Sequence, residues 1–254
     1  MRLGFIGTGT ITAAIVRGLK ASDARDWPVV LSPRSADIAR SLAALPGVAV
    51  AESNEAAIEG AETVVLAVRP QVAEAVLRPL RIRHEQQVVS LIAATPARLI
   101  SEWTGARQVC RAIPLPFVEA RRDVTPVFPP HPPAMRLFDA LGTALPVEDQ
   151  ASFDLYAALS ALMGSYFQVL ETASAWAEAH GLPPGDARAY LTGLFDNLGR
   201  VARKSPRSLS ELRSEHSTAG GLNEQAAAEF VRHGGAEALA GALEGVLRRI
   251  CGRQ

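Results

Sequence analysis

From residue 2 to about residue 147 the chain repeats one pattern: a short apolar run bounded by turn residues, a stretch with helical spacing, then another apolar run. Strands that return to one sheet through helices run parallel. The pattern predicts strands at 2–6, 29–32, 48–50, 63–67, 88–91 and 108–112, several of them apolar on both faces as buried parallel strands must be. After about Glu148 the β-branched runs vanish and Ala and Leu dominate at helical spacing. Helices are predicted at 149–179 with a break near Gly164, then at 184–203, 209–213, 222–233 and 236–251, with Gly181-Leu-Pro-Pro and Lys204-Ser-Pro as breakers. The expected fold class is therefore α/β: a doubly wound parallel sheet over residues 1–148, followed by an all-helical domain over residues 149–254.

A chain of 254 residues suits two modest domains, and 48% hydrophobic against 20% charged residues is ample material for a core. Lys plus Arg and Asp plus Glu both number 26, so the formal charge is zero. Nothing in that balance suits a nucleic acid or a membrane surface, and the expected ligand is small. Two cysteines, Cys110 and Cys251, make neither a disulfide framework nor a metal-ligand spacing, so no metal and a reducing compartment are expected. The opening apolar run meets a glycine cluster too soon for a signal peptide or a membrane span, and the expected location is cytoplasmic.

The strongest local signal is Gly4-Phe-Ile-Gly7-Thr8-Gly9-Thr10-Ile11-Thr12, a strand running into a glycine turn and then a helix. In a dinucleotide-binding turn the first glycine makes the bend and the second lets the pyrophosphate approach the backbone, and Gly7 and Gly9 fit those roles. The pyrophosphate would lie on the helix N-terminus, where unpaired N–H groups favour an anion, with Gly7, Thr8, Gly9, Thr10 and Ile11 around it. The third position is Thr12 instead of Gly or Ala, which implies a wider approach of helix to strand. A two-glycine turn also occurs as plain structure in α/β proteins; its position after the first strand of an alternating pattern favours binding.

At the end of the second predicted strand, where NAD-preferring sites carry an acid for the ribose 2′-hydroxyl, the chain reads Leu31-Ser32-Pro33-Arg34-Ser35. Ser32, Arg34 and Ser35 offer hydroxyls and a guanidinium, which suit the 2′-phosphate of NADPH. The other use of these residues is a solvated Arg34 and a helix-capping Ser35.

These residues, together with Ser53-Asn54, Gly60-Ala-Glu-Thr-Val-Val-Leu-Ala67-Val68-Arg69-Pro70-Gln71, Arg111-Ala-Ile-Pro114 and Ala219-Gly220-Gly221, resemble the pyrroline-5-carboxylate reductase family in order and spacing. The resemblance implies a Rossmann-like first domain, NADPH as cofactor, Asn54 at the adenosine ribose, Ala67, Val68 and Arg69 along the cofactor cleft, and Ala93 near the nicotinamide. It also implies reduction of a small cyclic imine carboxylate, 1-pyrroline-5-carboxylate to proline, by a homodimer or higher homo-oligomer built through the helical domain. The Ala-rich, apolar helices themselves carry more apolar face than one small domain covers.

The chain departs from the family in three places. The family's Arg-Ala-Met-Pro-Asn-Thr-Pro appears as Arg111-Ala-Ile-Pro114-Leu115-Pro116-Phe117, so an Asn is lost. The Ser-Gly-Ser-Gly-Pro-Ala-Tyr segment appears as Ser160-Ala-Leu-Met-Gly164-Ser165-Tyr166, and the Thr-Ser-Pro-Gly-Gly-Thr-Thr loop as Ser217-Thr218-Ala219-Gly220-Gly221-Leu222-Asn223-Glu224-Gln225. All three fall where substrate is expected, which leaves a different imine open. Thr218, Gly220, Gly221 and Asn223 are the expected substrate contacts: two glycines before a helix make a general anion site, and equally a tight turn capped by Thr218 or Ser217. The resemblance assigns this loop to the imino acid's carboxylate, with Asn223 in place of a threonine.

An iminium is already electrophilic, so position and electrostatics suffice for hydride transfer; Tyr166, Thr218 and Glu224 are the candidates for a proton donor. Of the five histidines only His216 lies beside the glycine loop. A second reading, a 3-hydroxyacid-type dehydrogenase, needs an interdomain lysine, and the chain has only Lys20 and Lys204. A third is a catalytically idle NADP-binding relative.

Overall fold

The computed structural model describes residues 1–252; residues 253 and 254, the end of the expected helical domain, lie outside the described residues. Eight strands form one sheet in the order β3-β2-β1-β4-β5-β6-β7-β8. The first six are those read from the sequence: β1 (Leu3–Ile6), β2 (Val29–Leu31), β3 (Val48–Val50), β4 (Thr63–Leu66), β5 (Gln87–Ser90) and β6 (Val109–Ala112). All their pairings are parallel. Two further strands, β7 (Asp123–Phe128) and β8 (Gly142–Pro146), extend the sheet; β7 runs antiparallel to β6 and parallel to β8.

Alternation along the strands divides the core into two apolar layers, because successive side chains point to opposite faces. Leu3, Phe5, Val65 and Val89 pack with Ile15, Leu19, Leu137 and Phe138, from α1 (Thr10–Lys20) and α6 (Pro132–Asp139). Ile6, Val64, Leu66 and Val88 pack with Ile58, Ala73, Leu77 and Ile100, from α3 (Asn54–Glu59), α4 (Pro70–Leu77) and α5 (Ala97–Thr104). Gly4 lets α3 close on β1: a Cβ there would stand 2.4 Å from the Ala57 carbonyl oxygen. The helix α2 (Ala36–Ala43) inserts Leu42 into the first cluster, beside α1.

By contact the chain divides into two compact units, Met1–Ala157 and Ala158–Gln254. The division falls inside α7 (Gln150–Leu159), later than the expected boundary at 148/149, because Phe153 of that helix is buried against Arg111 of β6. The second unit is helical: α8 (Leu162–Ala179), α9 (Pro184–Lys204), α10 (Leu209–Glu215), α11 (Leu222–Arg232) and α12 (Gly235–Ile250). The helix break falls at Ser160-Ala161 and not near Gly164, which sits inside α8 with open space around it. Among its described residues this unit buries as apolar side chains only Ala158, Ala187 and Leu212, while Phe167 and Trp176 are each 66% exposed and Leu222 82%. Among the described residues no helix is long and apolar enough to cross a membrane.

Candidate functional site

Strand register sets up the first half of the site. Ile6 lies opposite Leu66, Leu66 opposite Ser90 and Ser90 opposite Arg111, while Leu31 lies opposite Phe5 and Val50. The carboxyl ends of these parallel strands are thus level, and the segments that follow them share one edge of the sheet, the edge where open α/β sheets bind ligands. Gly7 to Ile11 follow β1, Ser32 to Ser35 follow β2, Asn54 opens α3 after β3, Ala67 to Arg69 follow β4, and Ala93 follows β5.

Gly7 is required twice over. Its φ of +98° favours glycine, and an added Cβ would stand 2.5 Å from the Ala67 carbonyl oxygen. Gly9 is different: it is the extended N-cap of α1, φ −100°, and a Cβ there would meet nothing within 4 Å. The first helical hydrogen bond runs from Ala13 N–H to Gly9 O, so the amides before it, Thr10 to Thr12, face the open side of Gly9 unspent by the helix. Bare backbone, free N–H groups and the helix dipole together fit a pyrophosphate.

The turn is braced by hydroxyls. Thr12, the departure at the third position, is fully buried, and its Oγ1 donates to Gly7 O at 2.6 Å. Its extra bulk is therefore spent on a bond back to the turn. Ser32 is also fully buried; its Oγ accepts from Gly7 N–H at 2.9 Å, and its carbonyl accepts from Thr8 Oγ1 at 2.7 Å. This corrects the expectation of Ser32 as a phosphate contact: its hydroxyl faces the glycine turn, inside the protein. Arg34 and Ser35 are exposed at the same edge. Ser35 precedes α2 with φ +64° and its side chain makes no capping bond, and Arg34 has no ion pair among the described residues. Both polar groups are available to a ligand. Ser53 caps α3 by accepting from Ala56 N–H at 3.1 Å, which leaves Asn54 half-buried in the first turn. Ala67 and Val68 are half-buried, while Arg69 is exposed as the N-cap before Pro70. Ala93 is exposed beside Ala94, whose φ is +51°.

Sequence reasoning assigned no role to Arg111, although a charge inside an apolar strand was its signal. Arg111 is 6% exposed at the end of β6; its guanidinium lies 4.6 Å over the Phe153 ring and donates to Gln150 Oε1 at 3.3 Å. Its Nε has no partner, and burial pulls its pKa below the ordinary arginine value against the attraction of Asp154. It joins the first turns of α7 to the sheet.

In the helical unit, Tyr166 of α8 stacks edge-on to Phe167 and to Phe195 of α9. The loop between α10 and α11 holds the other candidates. Gly220 takes φ +71° and Gly221 caps α11. Gly221 N–H donates to Thr218 O at 2.8 Å, Gly220 N–H to Glu224 Oε2 at 2.7 Å, and Asn223 Nδ2 to His216 O at 2.7 Å. Thr218, Gly220, Gly221, Asn223 and Glu224 thus belong to one hydrogen-bonded loop, and Tyr166 shares no hydrogen bond or ring contact with it among the described residues. Lys20 ties its own loop, donating to Arg25 O and Trp27 O at 2.9 and 2.7 Å, and burial holds its pKa below the lysine range despite Asp26. Neither its place nor its bonds suit an acid/base for a hydroxyacid dehydrogenase.

Two family models match the chain: one described as NADP oxidoreductase coenzyme F420-dependent over residues 2–94, the other as pyrroline-5-carboxylate reductase dimerisation over residues 150–251. A pyrroline-5-carboxylate reductase of Pseudomonas aeruginosa is 29% identical over 92% of this chain and 89% of its own. Among solved structures, a pyrroline-5-carboxylate reductase from Coxiella burnetii superposes with a TM-score of 0.85 at 26% identity, covering 98% of this chain and 96% of that one. The Plasmodium falciparum pyrroline carboxylate reductase with NADP bound gives 0.83 at 14% identity, covering 98% and 97%.

Proposed function

The chain belongs to the pyrroline-5-carboxylate reductase family, and from this we propose that it reduces a small cyclic imine carboxylate, 1-pyrroline-5-carboxylate to proline, with NADPH. The observation that carries the reading is the pair of glycines on the sheet edge, Gly7 pressed on Ala67 and Gly9 facing open space at the start of α1. NADPH supplies a hydride to the imine carbon. The chain's own work is binding and orientation. The amides of α1 hold the pyrophosphate with Gly7, Thr8, Gly9, Thr10 and Ile11 around it; the exposed Arg34 and Ser35 hold the 2′-phosphate. Asn54, Ala67, Val68, Arg69 and Ala93 are proposed along the rest of the cofactor, from ribose to nicotinamide. The Thr218–Asn223 loop is proposed for the substrate's carboxylate, with Thr218 and Glu224 as the hydroxyl and acid in the loop itself and Tyr166 of α8 as a further candidate proton donor.

The enzyme acts as a homodimer through residues 149–254, whose helices leave Phe167, Trp176 and Tyr190 uncovered in a single chain. A cytoplasmic location suits a soluble substrate and a reducible cofactor. The test is NADPH oxidation by the purified protein over a panel of cyclic imines, with Asn223→Ala alongside. The variant is expected to raise KM for the imine or lower kcat while leaving NADPH affinity intact. Unchanged constants would remove the loop from the substrate site, and no turnover of any imine would remove the activity.

A further inference from the structure

Three donors of the Thr218–Glu224 loop are already in use, while the amides of Leu222 to Glu224 precede the first bond of α11, Gln225 N–H to Gly221 O, and are not spent by the helix. Gly221 N–H is closed onto Thr218 O, and the amide nitrogen of Asn223 onto His216 O. The third donor, Gly220 N–H, is held by a carboxylate from the chain itself, Glu224 Oε2 at 2.7 Å. These three bonds differ in what it takes to open them. The Gly221 bond closes a backbone turn, where a Cβ on Gly221 would already lie 2.8 Å from Thr218 O, so opening it unmakes the loop. The Asn223 bond ties the start of α11 to the end of α10. Glu224 is an exposed side chain with freely turning torsions, and its bond can be exchanged while the backbone stays still.

We propose that Glu224 is a resident competitor for the substrate's carboxylate: it occupies the Gly220 amide and must swing away before an imino acid's carboxylate takes that donor. The inference rests on the reading of this loop as the carboxylate subsite of an imine reductase. The exchange is between like groups, one carboxylate leaving a glycine N–H as another arrives, so the loop's geometry is kept and only the charge changes owner. A place for the released side chain adjoins it. A groove of about 540 Å³ is lined by Glu224 with Arg213, Ser214, Ser217, Val231 and Arg232. Arg232 is paired with Glu229, whereas Arg213 has no ion pair among the described residues and can receive the displaced carboxylate. Glu224 then tunes specificity: it taxes substrates that bring a carboxylate to the loop and leaves those without one untaxed.

The experiment compares 1-pyrroline-5-carboxylate with the same ring lacking the carboxylate, 1-pyrroline, in full-length wild type, Glu224→Gln and Glu224→Ala. Glu224→Gln keeps an acceptor for Gly220 and removes the charge; Glu224→Ala removes both. The expected result is a shift of about tenfold in the ratio of the two KM values, in favour of the carboxylate, in both variants. A structural or proton-donating role gives the opposite sign or a fall in kcat for both rings. A shift in Glu224→Ala alone supports the competitor with the hydrogen bond as its hold. No shift, or a shift away from the carboxylate in both variants, overturns the inference while leaving the reductase reading in place. Absence of turnover with either ring in every form removes the reductase reading and the inference with it.

Discussion

Gly7 and Gly9 occupy adjacent turns of the same loop, yet replacing each by alanine is expected to break different things. At Gly7 an alanine must adopt φ +98°, which costs roughly 1–2 kcal/mol for a residue with a Cβ. That Cβ would also stand 2.5 Å from the Ala67 carbonyl oxygen and 2.7 Å from its carbon, backbone against backbone, so the turn must lift from the end of β4. Overpacking of this kind adds about 1–3 kcal/mol. Gly7→Ala is therefore expected to lose about 2–5 kcal/mol, a large part of the roughly 5–15 kcal/mol that holds a domain together. At Gly9 the backbone, φ −100°, is open to any residue and the added methyl meets nothing within 4 Å. A weaker N-cap and a stiffer unfolded chain, each about 0.5 kcal/mol, oppose each other, so Gly9→Ala should leave stability nearly unchanged. Its methyl would lie where the pyrophosphate meets the start of α1, and NADPH affinity should fall on the order of tenfold. Urea unfolding reads the first quantity and fluorescence titration with NADPH the second. A Gly9→Ala protein that binds NADPH like wild type would show that the cofactor does not lie on this turn, and a Gly7→Ala protein as stable as wild type would refute the close approach to Ala67.

Replacing the exposed, unpaired Arg34 by alanine should cost about 1.5 kcal/mol of NADPH affinity, the low end for a hydrogen bond to a charged group, with NADH affinity unmoved; equal losses in parallel titrations would take Arg34 off the 2′-phosphate. Phe167→Asp or Trp176→Asp, each placing a charge on an uncovered face of α8, should convert the dimer to monomer or unfold the helical unit, read by light scattering and circular dichroism; a dimer of wild-type stability would place the interface elsewhere. Burial pushes the Cys110 thiol up to about 12, so it remains protonated, and unreactive, throughout the ordinary pH range. A thiol reagent at pH 8 should therefore label Cys110 only after unfolding; fast labelling in the folded protein would contradict its burial in β6.

The first six strands were legible because each is a short run bounded by turn residues, several of them apolar on both faces and covered by helices on both, while the edge strand β3 is largely exposed. The last two strands were hidden by their own chemistry. β7 begins at Asp123 after two arginines and contains Pro126, which reads as a turn; only the fold reveals that Asp123 is buried, accepting from Leu115 N–H at 3.0 Å and Thr125 Oγ1 at 2.6 Å. Gly164 reads as a helix breaker, but it is surrounded by open space and α8 runs through it. The same contrast runs through the site. Gly7 was legible because its backbone conformation dictates the residue, and Gly9 because its spacing from Gly7 places it at the start of α1. Ser32 was not, because a serine reads alike whether its hydroxyl meets a phosphate or, as here, the Gly7 N–H inside the turn.

The same contrast separates the two candidate sites by how firmly one chain's core holds them. The cofactor turn is fixed by main-chain geometry packed into a finished core: β1 is fully buried and α1 buries seven of its residues. Gly7 cannot drift without cost to folding itself. The Thr218–Asn223 loop, proposed for the substrate, leads into α11, which buries no residue within one chain, and the Leu222 that follows Gly221 is 82% exposed. The chain's own core therefore constrains the residues at the start of that helix little. Positions such as Asn223 and Glu224 are then free to change the charge and reach of the loop while the sheet and its dinucleotide edge stay as they are. On the proposed placement of the substrate, its choice is written in the part of the structure that the chain's own core constrains least.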